Sequence, residues 1–303
     1  MQTIRKHAYA KINAYLEVTG RREDGYHTIL SHMQAVTLHD TLTISWNGQE
    51  ASPLTLRLTV SDPSVPCDES NLVCRAVRAY AEMAQARGLT LGGTLDLHLE
   101  KHIPMAAGLA GGSADAAAAL RGVNELLGAP FGTQELCDIA VRLGADIPFC
   151  VRSTERSAMT ARGIGEVLTD APSIPTDAWL VIACHGEGVS TPWAYRRLDE
   201  IGLPDTEVTE RQYAAYLAAL QQGDITALAA HAHNCFEQVV MPEREAVGML
   251  MQRMAEQGAV FTRMSGSGPS VVGFFADESS ALACELALGE RGIRAYACQI
   301  LKI

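Results

Sequence analysis

Apolar and polar residues alternate over the first sixty residues in the pattern of β-strands, in four stretches at 9–19, 33–37, 41–46 and 54–60. A helical period then replaces this alternation at residues 71–85, where apolar residues recur on one helix face behind a plausible cap at residues 68–70. The chain therefore opens with a β-rich segment that leads into a helix.

The middle of the chain combines strand and helix patterns around a glycine-rich loop. We predict a strand at 94–100, the loop at 104–113, and helices at 113–127 and 133–142. Short strands with several glycines and prolines then fill residues 152–175, which is typical of a joint between domains. We place the two domains at residues 1–160 and 161–303.

The second half alternates strands and helices and closes with a β-β-α-β pattern. That pattern predicts an antiparallel sheet backed by a helix, and hence an α+β fold. The elements are expected at 179–184 (strand), 193–200, 209–221, 225–240 and 243–257 (helices), 259–264 and 270–275 (strands), 279–289 (helix) and 294–301 (strand).

Composition narrows the class of protein. The 303 residues can form two domains, and 24 Lys and Arg against 35 Asp and Glu give a net charge of −11 with no basic stripe. We therefore expect no nucleic-acid partner and no membrane partner. Lys11, Asn13 and Glu17 interrupt any signal-like apolar run, and the eight cysteines form no C-x-x-C pair, so a cytoplasmic location with reduced thiols is expected.

The loop at residues 104–113 (PMAAGLAGGS) is the main candidate for chemistry. Gly108, Gly111 and Gly112 lie between a strand and a helix, where backbone N–H groups and the helix dipole favour an anion. The spacing is neither Walker A nor G-x-G-x-x-G. On the glycines alone, a tight packing turn explains the loop about as well as a phosphate site.

Two further motifs accompany the loop, at residues 10–16 (AKINAYL) and 264–270 (MSGSGPS). The ordered trio resembles the GHMP kinase superfamily, which includes galactokinase, homoserine kinase and mevalonate kinase. The resemblance implies a ribosomal-protein-S5-like α/β domain, a ferredoxin-like α+β domain, and an active site in the cleft between them.

Four segments narrow the resemblance: residues 10–13 (AKIN), 20–27 (GRREDGYH), 143–149 (LGADIPF) and 188–192 (GVSTP). They are similar to those of the 4-diphosphocytidyl-2-C-methyl-D-erythritol kinase family. The similarity implies ATP-dependent phosphorylation of the 2-hydroxyl of a methylerythritol carried on cytidine diphosphate, a step of the non-mevalonate route to isoprenoid precursors. Another kinase of the superfamily, or a catalytically silent nucleotide sensor, is the alternative.

The resemblance assigns catalysis to Lys11 and Asp146. A carboxylate can accept the hydroxyl proton or orient the hydroxyl, and an ammonium can stabilise developing negative charge. Read without the family, Asp146 is more typical of a turn or a helix cap. Lys11 in an apolar strand is unusual, because a buried lysine needs a partner, and we expect that partner to be Asp146.

The resemblance also assigns the nucleotide end. ATP is expected to contact Lys101 and the whole loop, namely Pro104, Met105, Ala106, Ala107, Gly108, Leu109, Ala110, Gly111, Gly112 and Ser113. For Lys101, a solvated lysine at a strand end is an alternative. Ala110 and Ala114 replace a Gly and a Ser that are common in the family, and we expect the cradle to remain intact. Mg²⁺ is expected to arrive on ATP, so no separate metal site is predicted, and the histidines 231 and 233 are interpreted as surface residues.

The cytidine substrate is the last implied ligand. Tyr26 and Tyr195 are expected to clamp the base and His27 to contact its edge, although core packing and a turn cap are alternatives for Tyr26 and His27. The remaining substrate contacts implied are Asn13, Asn71, Gly266, Ser267 and Gly268. Asn71 also suits a helix cap, and the glycines suit a strand-connecting turn. A monomer or weak homodimer is expected.

Overall fold

The computed structural model describes residues 1–48 and 52–303, and its chain divides into two compact units. Unit 1 comprises residues 1–10, 39–103 and 110–154, and unit 2 comprises residues 11–38, 104–109 and 155–303. Two long strands, β1 (Gln2–Arg21) and β2 (His27–Gly48), contribute residues to both units. The domain boundary after residue 160 stays a prediction.

Unit 1 is an α/β unit in which β2 pairs with a central strand, β4. Residues 41–48 of β2 run antiparallel to β4, and β3 runs parallel to β4 on its other side. The helices of this unit pack on one another, and the buried alanines of α2 allow α1 to approach closely. The elements are β3 (Leu54–Val60), α1 (Leu72–Ala86), β4 (Gly93–Glu100), α2 (Gly111–Leu126), α3 (Thr133–Ala140) and α4 (Ile147–Arg152).

Unit 2 contains a four-stranded antiparallel sheet with the order β11-β7-β10-β9, on which α9 and α10 pack. In chain order this is a 4-1-3-2 arrangement, so the predicted helix-backed antiparallel sheet is confirmed. The elements are β5 (Ala158–Arg162), β6 (Val167–Asp170), β7 (Trp179–Cys184), α5 (Thr191–Ile201), α6 (Thr206–Gln222), α7 (Ile225–Ala229), β8 (His233–Asn234), α8 (Glu237–Val240), α9 (Glu245–Glu256), β9 (Phe261–Met264), β10 (Val271–Phe275), α10 (Glu278–Gly289) and β11 (Arg294–Gln299).

The single helix predicted at 225–240 is interrupted, because only its two ends are helical, as α7 and α8. Residues 233 and 234 instead form β8, which pairs parallel to β1 at Tyr15 and Leu16. Nδ2 of Asn234 donates to the carbonyls of Met264 and Gly266 at 2.7 and 2.9 Å. These tertiary bonds outweigh the local helical period, which carries no information about the distant strand.

Two smaller differences concern continuity. The strands predicted at 33–37 and 41–46 are one strand, β2, and residues 147–152, to which no element was assigned, form the short helix α4. Each of the eight cysteines is a free thiol, and six of them are buried. Among the described residues, no helix combines the length and apolarity that a membrane crossing requires.

Candidate active site

Lys11 is buried, as its position in an apolar strand predicted, and only 4% of the residue is exposed. Its Nζ donates to Oδ1 of Asn13 at 2.6 Å, and its backbone N–H donates to the carbonyl of Leu109 in the glycine-rich loop at 3.1 Å. Lys11 and Asn13 share a face of β1 because they are two residues apart. Asp146 belongs to unit 1, and its pairing with Lys11 stays a prediction.

Asn13 is fixed by hydrogen bonds at both ends. Its Nδ2 donates to Oγ of Ser31 at 2.8 Å, and its backbone N–H donates to Oγ of Ser265 at 3.2 Å. Since Nδ2 is committed to Ser31, Oδ1 must face the ammonium of Lys11. The amide therefore sets the position of that ammonium.

Asp146 is the residue immediately before α4. Its φ of −80° and ψ of −16° are helical, and its side chain accepts no capping hydrogen bond from the helix. Asp146 therefore does not cap α4 with its side chain, whereas the other alternative, a turn residue, is confirmed. The residue is half-buried.

The first half of the glycine-rich loop, residues 104–109, packs against the motif at 264–270. Gly108 has a φ of +74°, and a Cβ there would lie 2.2 Å from the carbonyl oxygen of Ser265. Oγ of Ser265 donates to the carbonyl of Gly108 at 3.1 Å, and Gly266 also has a positive φ, of +58°. The two backbones therefore approach at a distance that only glycine permits.

The second half of the loop forms the start of α2. Ala110 occupies the N-cap with a φ of +56°, and no side chain caps the helix. Ser113 lies inside the first turn of α2. The first N–H groups of an uncapped helix lack intrahelical partners, which leaves them available to an anion.

Within unit 1, Lys101 links the end of β4, before the loop, to α2, after it. Its Nζ donates to Oδ2 of Asp115, on the first turns of α2, at 2.7 Å, and to Oδ2 of Asp40 on β2. Oδ1 of Asp40 accepts from the backbone N–H groups of His102 and Ile103. The alternative of a solvated strand-end lysine is therefore wrong, since only 4% of this side chain is exposed.

Charge balance in this Asp40–Lys101–Asp115 triad is uneven, because one ammonium faces two carboxylates. Burial opposes the charge on Lys101, but Asp115 and Asp40 outweigh it and raise the pKa of the ammonium. Burial also raises the pKa of Asp115; Lys101 opposes this rise and Asp40 adds to it. Oδ1 of Asp115 is buried without a hydrogen-bond partner among the described residues.

The residues expected at the cytidine end lie in unit 2. Tyr26 is 62% exposed, so the alternative that it packs in the core is wrong. The ring of Tyr195 stacks on that of His27 with centroids 4.6 Å apart and an interplanar angle of 19°. Nε2 of His27 lies 2.7 Å from Oδ1 of Asp199, four residues after Tyr195 on α5.

Two other expected substrate contacts have structural partners. Asn71 caps α1, accepting from the N–H of Val73 at 2.9 Å and donating to the carbonyl of Pro66 at 2.7 Å. Oγ of Ser267 lies 2.9 Å from Oγ1 of Thr191 at the start of α5. The substrate contacts of Asn71 and Ser267 stay predictions.

Four polar residues at these sites were not predicted from the sequence: Asp40, Asp115, Asp199 and Asn234. Asp115 could have been recognised from the sequence. It is the one charged residue in the alanine run at 114–120, and such an apolar helix is expected to be buried, so its carboxylate would need a partner. The other three could not, since their partners are distant in sequence. His233 contacts Oε2 of Glu17 at 2.8 Å, and the described residues contain no group of three potential metal ligands among His, Cys, Asp and Glu.

Comparison with known proteins gives two family matches. Residues 71–154 match the GHMP kinases N terminal domain, and residues 216–294 match the GHMP kinases C terminal domain. These two matches cover the glycine-rich loop, Asp146, and the motif at 264–270.

Individual relatives cover nearly the whole chain. A 4-diphosphocytidyl-2-C-methyl-D-erythritol kinase of Gloeobacter violaceus is 37% identical over 99% of this chain and 95% of its own. One from Synechococcus sp. is 42% identical over 90% of this chain and 85% of its own. The crystal structure of a 4-(cytidine 5'-diphospho)-2C-methyl-D-erythritol kinase, 31% identical, superposes with a TM-score of 0.78 over 99% of this chain and 100% of that one. A homoserine kinase from Cytophaga hutchinsonii, 17% identical, shares the fold with a TM-score of 0.72 over 99% of this chain and 95% of its own.

Proposed function

The chain belongs to the 4-diphosphocytidyl-2-C-methyl-D-erythritol kinase family of the GHMP kinases, and from this premise we propose that it transfers the γ-phosphoryl group of ATP to the 2-hydroxyl of 4-diphosphocytidyl-2-C-methyl-D-erythritol. The reaction is a step of the non-mevalonate route to isoprenoid precursors. The product would carry a new phosphate monoester, and ADP would leave.

The observation that carries the proposal is the construction of the glycine-rich loop. Gly108 lies against the backbone of Ser265, and the helix that follows starts without a side-chain cap. The close approach at Gly108 holds the loop against Ser265, and Ala110 at the N-cap leaves the first N–H groups of α2 without a side-chain acceptor. Uncapped N–H groups at a helix start suit the phosphates of a nucleotide.

Catalysis is assigned to Lys11 and Asp146. Asp146 would orient the 2-hydroxyl and take its proton late in the transfer, as phosphoryl transfer depends mainly on positioning and charge stabilisation. The ammonium of Lys11, positioned by Asn13, would stabilise the negative charge that develops on the attacking oxygen. The burial of Lys11 supports this role, because desolvation strengthens the interaction.

ATP is assigned to the loop from Pro104 to Ser113 and to Lys101, whose ammonium is held by Asp40 and Asp115. Mg²⁺ would reach the site on the phosphate oxygens, where it neutralises charge on the transferred group. Ser113 suits a contact with this ion, because its hydroxyl has no hydrogen-bond partner in the described part of the chain and lies in the first turn of α2.

The cytidine substrate is assigned to residues of unit 2 and to Asn71. The exposed ring of Tyr26 and the ring of Tyr195 would stack on the base, and His27 would contact its edge. Asn13, Gly266, Ser267 and Gly268 would face the methylerythritol and the diphosphate. We further propose a cytoplasmic monomer or weak homodimer that binds neither nucleic acid nor membrane.

The test is a phosphoryl-transfer assay with the purified chain. ATP consumption should depend on the cytidine conjugate, and homoserine and mevalonate should not replace it. Product analysis should place the new phosphate on the 2-oxygen. Turnover of mevalonate or homoserine instead would indicate another kinase of the superfamily, and nucleotide binding without turnover of any of the three would indicate a sensor.

A further inference from the structure

The hydrogen bond between His27 and Asp199 fixes the location of the histidine proton. Oδ1 of Asp199 lies 2.7 Å from Nε2 of His27, and a carboxylate can only accept a hydrogen bond. Nε2 must therefore carry the proton in this pair. In the neutral ring, Nδ1 then holds the lone pair and is an acceptor.

The ring of His27 is held in place by α5. Tyr195 and Asp199 are one turn apart on this helix, so the first stacks on the ring while the second binds its edge. Tyr195 is braced in turn by the buried Phe236, which meets it edge-on with centroids 5.0 Å apart. Nη1 of Arg21 lies 3.6 Å from Oδ2 of Asp199, whereas His27 uses the other oxygen, Oδ1.

The acceptor at Nδ1 is uncommitted. Only 9% of the His27 side chain is exposed, yet Nδ1 has no hydrogen-bond partner among residues 1–48 and 52–303. A fixed, largely desolvated acceptor discriminates strongly, because a ligand that presents another acceptor leaves both groups unsatisfied.

We propose that Asp199 determines the base specificity of the chain. By holding His27 in the Nε2–H tautomer, it makes Nδ1 an acceptor for the 4-amino group of cytosine. Uracil carries an oxygen acceptor at this position and is rejected. The inference rests on the proposed function for its placement of His27 at the base edge, and it adds the residue that selects cytosine over uracil.

The test compares the binding of cytidine 5'-diphosphate and uridine 5'-diphosphate to the purified chain by calorimetry. The wild type should bind the cytidine compound at least about tenfold more tightly, the effect of one mismatched hydrogen bond. In Asp199→Asn, the amide N–H can donate to Nε2 and move the proton to Nδ1, which then suits the uracil oxygen. The preference should fall at least tenfold, and in Asp199→Ala, which fixes neither tautomer, it should fall towards one.

The matched control is Glu200→Gln, which removes the charge next to Asp199 on α5. The carboxylate of Glu200 binds Arg197 and not His27. This variant should retain the wild-type preference. Nitrogen-15 spectra of labelled histidine give a second readout in the free protein. The signal of His27 is identified by its disappearance in His27→Gln. It should show a protonated Nε2 in the wild type and a protonated Nδ1 in Asp199→Asn.

Two outcomes would overturn the inference: an unchanged cytidine preference in both Asp199 variants, or equal binding of the two nucleotides by the wild type. Failure of the proposed function is distinguishable from both. In that case the chain would not phosphorylate the cytidine conjugate, whereas the binding preference and its dependence on Asp199 would persist.

Discussion

At the scale of single residues, burial separates functional polar groups from structural ones. Lys11 lies in an apolar strand and is buried, and a buried lysine needs a polar partner. Asn71 gave no such indication, because a cap and a ligand contact place the same residue type at a helix start. In the structure Asn71 accepts a hydrogen bond from the N–H of Val73, as a cap does.

Asp146→Asn tests the proposed catalytic pair. The asparagine keeps the shape of the side chain but cannot accept a proton, so kcat should fall about 10²- to 10⁴-fold. Affinity for ATP, measured by calorimetry, should stay within about twofold of the wild type. Asp138→Asn, a surface change on α3, serves as the control. A variant that keeps most of its rate would exclude Asp146 from the mechanism.

Gly108→Ala tests the close approach of the loop to Ser265. The new Cβ would lie 2.2 Å from a backbone oxygen that cannot move aside easily, so the free energy of unfolding should fall by more than about 3 kcal/mol. Gly128→Ala is the matched control: its φ is also positive, +78°, but no atom lies within 4 Å of the added Cβ. That change should cost only about 1 kcal/mol. If the two variants lose equal free energy of unfolding in urea, the positive φ alone, and not the contact with Ser265, explains the glycine at position 108.

At the scale of elements, the glycine-rich loop is held by the segments on either side of it. The Asp40–Lys101–Asp115 triad links the end of β4 to the first turns of α2, so that the strand, the helix and β2 meet at one buried ammonium. The glycines identified the loop in the sequence. The triad that holds its ends was not recognisable, because 61 residues separate Asp40 from Lys101.

Lys101→Met tests the triad. It leaves two carboxylates buried without their cation, so the free energy of unfolding should fall by about 3–5 kcal/mol. The combined variant Asp40→Asn, Lys101→Met, Asp115→Asn removes every charge and should recover part of this loss. Thermal and urea unfolding measure both effects.

Lys6→Met is the control for the triad. Lys6 pairs with the exposed Glu125, and loss of such a pair should cost no more than about 1 kcal/mol. If Lys101→Met costs as little as Lys6→Met, the triad does not hold the loop ends.

At the scale of the whole molecule, buried ionisable groups couple folding to pH. His32 lies in the core of unit 2, where Nε2 donates to the carbonyl of Pro172 at 2.9 Å and Nδ1 faces the hydroxyl of Tyr216 at 3.0 Å. Burial lowers the pKa of His32 to about 4. The folded chain therefore keeps this ring neutral at a pH at which the unfolded chain protonates it.

His32→Asn tests this coupling. Below a pH of about 6.5 the unfolded state binds a proton that the folded state does not bind until about pH 4, so the wild type loses stability as the pH falls through this window. The variant lacks this loss. Its stability deficit, measured by urea unfolding, should therefore narrow by about 3 kcal/mol between pH 7 and pH 4. A constant deficit would mean that His32 is protonated equally in both states.

The sequence by itself determined the elements with strong local patterns and the family. The strand at 54–60, the alanine-rich helix and the closing β-β-α-β unit follow from periodicities that neighbouring residues carry. The three motifs identified the family by resemblance, and the structure gives a physical reason for one of their glycines: a Cβ at Gly108 would lie 2.2 Å from the carbonyl oxygen of Ser265.

Only the tertiary structure decided what depends on distant partners. The pattern at 225–240 predicted a continuous helix, but residues 233 and 234 pair with β1. Asp40, Asp199 and Asn234 form hydrogen bonds with residues 30 to 172 positions away in the sequence. A hydrogen bond or an ion pair depends on distance in space, and a local pattern does not record which remote residue will provide the partner.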